Sequence, residues 1–307
     1  MPVENRLSEL WSIFDYIMPG FLYTYNKFRE EIEAPIALLD DKLSLENLQR
    51  MIAPFVLRRL KKDVLKFLPD KIEKNMYAQM DGEQRELYQA HVQRMRMMLD
   101  KQNEAEFRRG KIQVLAELTK LRQICCNPAL IFNEYQGESA KTQMCMELIK
   151  NAIDGGHRIL LFSQFTTMLD MLQDELEREH IRFLTLTGST SKERRAELVE
   201  EFNEGRSPVF CISLKAGGTG LNLTAADIVI HYDPWWNVAV ENQATDRAHR
   251  IGQDNVVTVY KLIAKDSIEE GIVELQENKR ELADEILASD SISTSDISKE
   301  QLLELLG

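Results

Sequence analysis

The chain has 307 residues, 44% of them hydrophobic and 29% charged, enough apolar content for one large core or two modest ones. No stretch approaches the roughly 20 uninterrupted apolar residues of a bilayer span, and the first six residues lack the basic-then-apolar pattern of a secretion signal, so no membrane partner and a cytoplasmic or nuclear location are expected. A net charge of −12 argues against holding nucleic acid by bulk attraction, which makes any such site local. Cys125, Cys126, Cys145 and Cys211 have neither zinc-site spacing nor disulfide density, so a reduced compartment and no metal site are expected.

As far as about residue 135 the pattern predicts mostly helix, clearest over 81–99 and 108–126, and no sheet. Residues 137–142 read as a small polar linker. From Arg158 short apolar runs alternate with amphipathic stretches: strands over 158–162, 182–186, 208–213, 227–231 and 256–263, helices over 167–179, 191–203 and 238–250. That alternation predicts an α/β fold, a parallel sheet covered on both faces, with ligands outside the carboxyl ends of the strands. Residues 266–288 read as one long charged helix, 289–298 as a polar break and 299–306 as a last short helix.

The stretch with most chemistry is Gln243-Ala-Thr-Asp-Arg247-Ala-His-Arg250-Ile-Gly-Gln253. On a continuous helix Gln243, Arg247 and Arg250 share one face, where two guanidinium forks suit a polyphosphate. The alternative is a solvated face with Glu241 and Asp246 as partners. Upstream, Ser213-Leu-Lys215-Ala-Gly-Gly-Thr219-Gly220-Leu-Asn222-Leu223 follows a predicted strand, and its glycines let backbone N–H groups approach a phosphate. By itself it is also an ordinary tight turn. His231 and His249 lack companion ligands and read as structural, Asp174-Glu-Leu-Glu177 reads as a solvated helix face, and the basic run 58–62 fits DNA phosphate or solvent equally.

With Asp233-Pro-Trp-Trp-Asn237 between them, these two stretches resemble motifs V and VI of the SWI/SNF-type ATPases of helicase superfamily two. The resemblance extends to Glu4–Trp11, Leu57–Val64, Leu68–Lys71, Leu121–Pro128, Leu161–Phe165 and Leu186–Thr190. Val238 stands where that family usually has Pro, and Thr187 where many members have Asp. The resemblance implies a helical inter-lobe region over 1–137, a second RecA-like lobe over 138–265 and a bracing helix with a tail over 266–307. It implies an ATP-driven double-stranded DNA translocase in which Arg247 and Arg250 act as arginine fingers with Gln243 assisting, while Gly220 and Asn222 lie near the nucleotide. Ser163, Gln164, Gly188, Ser189, Lys215, Thr219 and Trp236 would face DNA, and Trp235 would be packed. ATP with Mg2+ would be held mainly by an N-terminal RecA-like lobe, since no G-x-x-x-x-G-K-[ST] loop is present and Gly110-Lys111 fails that pattern. Partners would be double-stranded DNA, that lobe and DNA-bound protein complexes, in the bacterial nucleoid or a nucleus. The rival expectation is a DNA- or protein-binding module that keeps the fold without the chemistry.

Overall fold

In a computed structural model of the chain, residues 7–39, 41–56, 68–217, 220–276 and 299–306 are described. Those up to 56 form one compact unit and those from 68 on another. The first unit is helical: α1 (Leu7–Ile17), α2 (Tyr25–Phe28) leading through a π-helical turn into α3 (Ala34–Leu39), and α4 (Lys42–Ile52), capped by Asp41. Its core is Leu10, Phe14, Leu22, Phe28, Ile32 and Leu48. The basic run 58–62 lies outside the described residues.

The second unit begins with a strand where only helix was expected. β1 (Lys71–Ala78) lies parallel to β6 (Val257–Ala264) along its whole length. It is an edge strand with most side chains exposed, and its Lys, Glu and Asn residues have low strand propensity, so its sequence carries no strand signal. Residues 68–137 therefore fold with the sheet, and the chain does not divide into compact units near 137.

A hairpin follows, α5 (Gly82–Asp100) and α6 (Glu104–Cys126), the latter opened by a capping box between Asn103 and Glu106. The expected linker is shorter than its polar composition suggested. Ser139 caps α7 (Ala140–Asp154) by accepting from the Thr142 amide, and its hydroxyl donates to the Cys126 carbonyl at 2.6 Å. Then come β2 (Ile159–Ser163), α8 (Thr166–Arg178), β3 (Phe183–Leu186), α9 (Lys192–Asn203), β4 (Val209–Ser213), the short α10 (Leu214–Gly217), β5 (Ile228–His231), α11 (Val238–Thr245), β6, a helical stretch over 268–276 and α12 (Lys299–Leu305). Strand order is β1-β6-β5-β2-β4-β3, with every adjacent pair parallel.

Every residue of β2, β4 and β5 is buried, as expected for strands covered on both faces. One layer packs Cys145, Ile149, Leu169, Leu172 and Leu176 against Ile159 and Leu161; the other packs Leu198, Phe202, Ala244 and Ala248 against Phe162 and Phe210. An ion pair buried at 0% exposure on both sides, Lys141 to Glu269, ties α7 to the 268–276 helix. Because β4 and β5 flank β2, the connection between them crosses over β2. The loops leaving β2, β4 and β5 therefore converge at one end of the sheet, where such folds bind ligands.

Candidate nucleotide and nucleic-acid site

The sites expected for nucleotide and DNA fall into distinct groups. Helix α11 stops at Thr245, so Arg247 and Arg250 lie in the turn beyond it and do not continue the helical face of Gln243. The cause is local. The Arg247 carbonyl accepts from the Leu223 amide at 3.0 Å instead of continuing the helix, and Gly252 adopts a φ of +96°, a region that disfavours side chains. Gln253 is buried and donates from Nε2 to the carbonyls of Thr224, Ala226 and Ala248 at 3.1, 2.7 and 3.1 Å. Arg250 donates from Nη1 to the Leu221 carbonyl at 3.0 Å.

These bonds lock the Arg247–Gln253 turn onto the loop that carries Gly220 and Asn222. Gly220 has a φ of +45° and Asn222 is exposed. Gln243, Arg247 and Arg250 are each half-buried. Burial, then the nearness of Arg250, pull the Arg247 guanidinium below its ordinary range, offset by Asp246. Two guanidinium groups thus lie near one another on this turn. His249 donates from Nε2 to the Pro69 carbonyl at 2.7 Å, fixing the chain just before β1, in keeping with a structural role.

The second group lines a cleft of ≈ 450 Å³ between α6 and the converging loops. Gln164, Lys215 and Trp236 are on its wall, with Phe165, Trp235 and Arg122. Two expectations change here. Trp236 is only 6% exposed and is not laid open as expected, whereas Trp235 is half-buried and packs against the core, as expected. Asn237 caps α11 by accepting from the Ala239 amide, and this turn directs Trp236 into the core. Ser163 is also buried; its hydroxyl donates to Asp233 Oδ1 at 2.5 Å and is not presented to solvent. Lys215 is exposed. Gly188 and Ser189 are exposed on a separate loop after β3, where Thr187 and Ser189 hydroxyls hydrogen-bond at 2.9 Å. Thr219 lies outside the described residues.

Beneath the cleft lies a buried charge network that the motif reading passed over. Asp233 accepts from Ser163 and from the Gln164 amide at 3.2 Å, and lies 3.5 Å from Arg122 Nη2. Burial raises the Asp233 carboxyl above its ordinary range, opposed by Arg122 and Ser163. Glu241 accepts from the Trp235 amide at 2.6 Å and pairs with Lys261 at 3.0 Å. The available signal was positional: Arg122 occupies the apolar stripe of α6 with Val114, Leu118, Leu121 and Cys125, a place where a charge has to find a partner.

A six-stranded parallel sheet covered by helices on both faces, with a glycine-rich loop after β4 and an arginine pair in the turn entering β6, is a RecA-like lobe. Residues 140–252 match the helicase conserved C-terminal domain and residues 1–130 the SNF2-related domain. The chain is similar to the SWI2/SNF2 ATPase C-terminal domain of Sulfolobus solfataricus, with 34% identity and a TM-score of 0.63, over 77% of this chain and 98% of that one. It is similar to that organism's SWI2/SNF2 ATPase core in complex with dsDNA, with 36% identity and a TM-score of 0.65, over 100% of this chain and 65% of that one. Among curated relatives, the putative ATP-dependent helicase/translocase YwqA of Bacillus subtilis is 42% identical over 99% of this chain, and an uncharacterized ATP-dependent helicase of Mycoplasma pneumoniae is 39% identical over 99%. The chain spans 33% and 29% of those two relatives' lengths. It belongs to the SWI2/SNF2 family of ATPases.

Proposed function

We propose that the chain is the C-terminal motor lobe of an ATP-driven translocase on double-stranded DNA. The observation that supports this most is the Arg247–Arg250 pair, fixed beside the Gly220–Leu223 loop by hydrogen bonds to backbone carbonyls and amides in the turn that enters β6. In this reading ATP with Mg2+ is held mainly by an N-terminal RecA-like lobe. Lobe closure brings both arginines onto the phosphates, where they stabilise the charge that develops as the γ-phosphoryl transfers. Gln243 assists, and Asn222 lies beside the sugar. Gln164, Gly188, Ser189, Lys215 and Thr219 contact the DNA backbone, with Ser163 and Trp236 holding that surface from behind.

The test is displacement of a third strand from a triplex by the full-length protein. ATP-dependent displacement without separation of the underlying duplex supports translocation. Separation of the duplex points to a strand-separating helicase. DNA binding with no ATP turnover points to a binding module that keeps the fold alone.

A further inference from the structure

Arg122 lies on α6, outside the motif stretches expected to contact nucleotide or DNA, yet it reaches the loops that leave two strands. It is 2% exposed. Its Nη2 donates to the Pro234 carbonyl at 2.5 Å and lies 3.5 Å from Asp233 Oδ2. Its guanidinium carbon is 5.5 Å from the Phe165 ring centroid and 5.3 Å from that of Trp235, within cation–π range of both. Phe165 follows β2; Pro234 and Trp235 follow β5. Asp233 extends the connection by accepting the Ser163 hydroxyl and the Gln164 amide. One guanidinium thus fastens both loops to a helix of the hairpin. A planar fork that donates at its edge while its faces meet two rings is a geometry an ammonium group cannot reproduce.

We propose that Arg122 is a positioning residue: it holds the loops after β2 and β5 so that Gln164 and Trp235 flank the cleft correctly, and so sets the affinity for DNA without touching it. The proposal rests on the translocase reading given above. It makes the α5–α6 hairpin a mechanical support of the DNA face, because displacement of α6 moves both loops together.

The test uses Arg122→Lys in the full-length protein, which preserves the buried charge balance. The DNA concentration for half-maximal stimulation of ATP turnover should rise about tenfold, while turnover at saturating DNA changes less than about twofold. A folded Arg122→Lys protein with unchanged half-saturation overturns the proposal. Should that variant not fold, Arg122→Met with Asp233→Asn removes both charges together; the same rise is expected, and unchanged half-saturation overturns the proposal. A second readout needs neither ATP nor DNA. In the 307-residue chain itself, Trp11→Phe with Trp236→Phe leaves Trp235 as its one tryptophan; its emission should shift when Arg122 becomes Lys, and an unchanged spectrum means that the loop is not held by Arg122. If the unsubstituted protein shows no DNA-stimulated turnover, the translocase reading fails, and Trp235 emission still decides whether Arg122 positions the loop.

Discussion

Two turns at opposite ends of the sheet, one leaving β5 and one entering β6, are held by opposite means. The Asp233–Trp235 corner is fixed by buried charge, Asp233 against Arg122 and Glu241 against Lys261. The Arg247–Gln253 turn is fixed by neutral groups: the Leu223 amide, the Gln253 amide and the carbonyls of Leu221, Thr224, Ala226 and Ala248. Buried charges are costly to desolvate and strongly penalise loss of a partner, which makes the first corner intolerant of change. The second turn leaves the Arg250 charge held by a carbonyl dipole and not neutralised by a carboxylate among the described residues. A support can tie up its own charges; under the proposed translocase reading, the arginine that meets phosphate has to keep its charge available.

That contrast is tested most severely at the arginines. In the full-length protein, Arg247→Ala or Arg250→Ala should lower ATP turnover by about 10³-fold or more with DNA affinity nearly unchanged, and Lys should restore little of it. Arg250→Ala also loses the bond to Leu221, so its melting temperature should fall below that of the parent. Near-normal turnover in either Ala variant would make that arginine structural.

At the other corner, Asp233→Leu strands the buried Arg122 charge and should cost about 3–5 kcal/mol in chemical denaturation. A loss under about 1 kcal/mol would mean that charge does not hold this corner.

A pH effect of about 3 kcal/mol is expected from His231, which stands between the two turns. It stacks on Phe162 with ring centroids 5.5 Å apart, and its Nε2 is hydrogen-bonded to Thr245 Oγ1 at 2.9 Å. Burial lowers its pKa to about 4, partly opposed by Glu241. The unfolded chain takes up the proton near pH 6.5, so this contribution is intact above that value and is lost as pH falls towards 4. Denaturation midpoints between pH 7.5 and 4.5 should fall in the parent and flatten in His231→Gln; equal slopes would exclude His231 as the cause. The smallest effect belongs to Gln253→Leu, which leaves carbonyls short of a donor and should cost about 1–3 kcal/mol.

The sheet interior was legible because β2, β4 and β5 are short apolar runs that only a doubly covered strand can bury. The arginine turn was legible as a motif but not as a shape: the end of α11 at Thr245 depends on a bond from Leu223, more than twenty residues upstream. Exposure of the two tryptophans depended on the Asn237 cap, whose effect on the preceding residue does not show in hydrophobicity. Asp233 and Arg122 escaped notice because each looks ordinary alone, and their meeting requires α6 to fold back onto the strand ends.

β1 carries a practical consequence for shortening the molecule. Along eight residues it covers the outer edge of β6, and the Val257 and Lys265 amides next to it donate to the carbonyls of Asp70 and Ala78. A chain cut near residue 138 would retain every expected arginine and glycine but expose a row of unpaired backbone groups along β6, a template for joining one molecule to the next. The smallest soluble piece of the sheet should accordingly begin before Pro69, and trimming to the motif-bearing region alone should yield aggregates whose assembly is seeded from that bared strand.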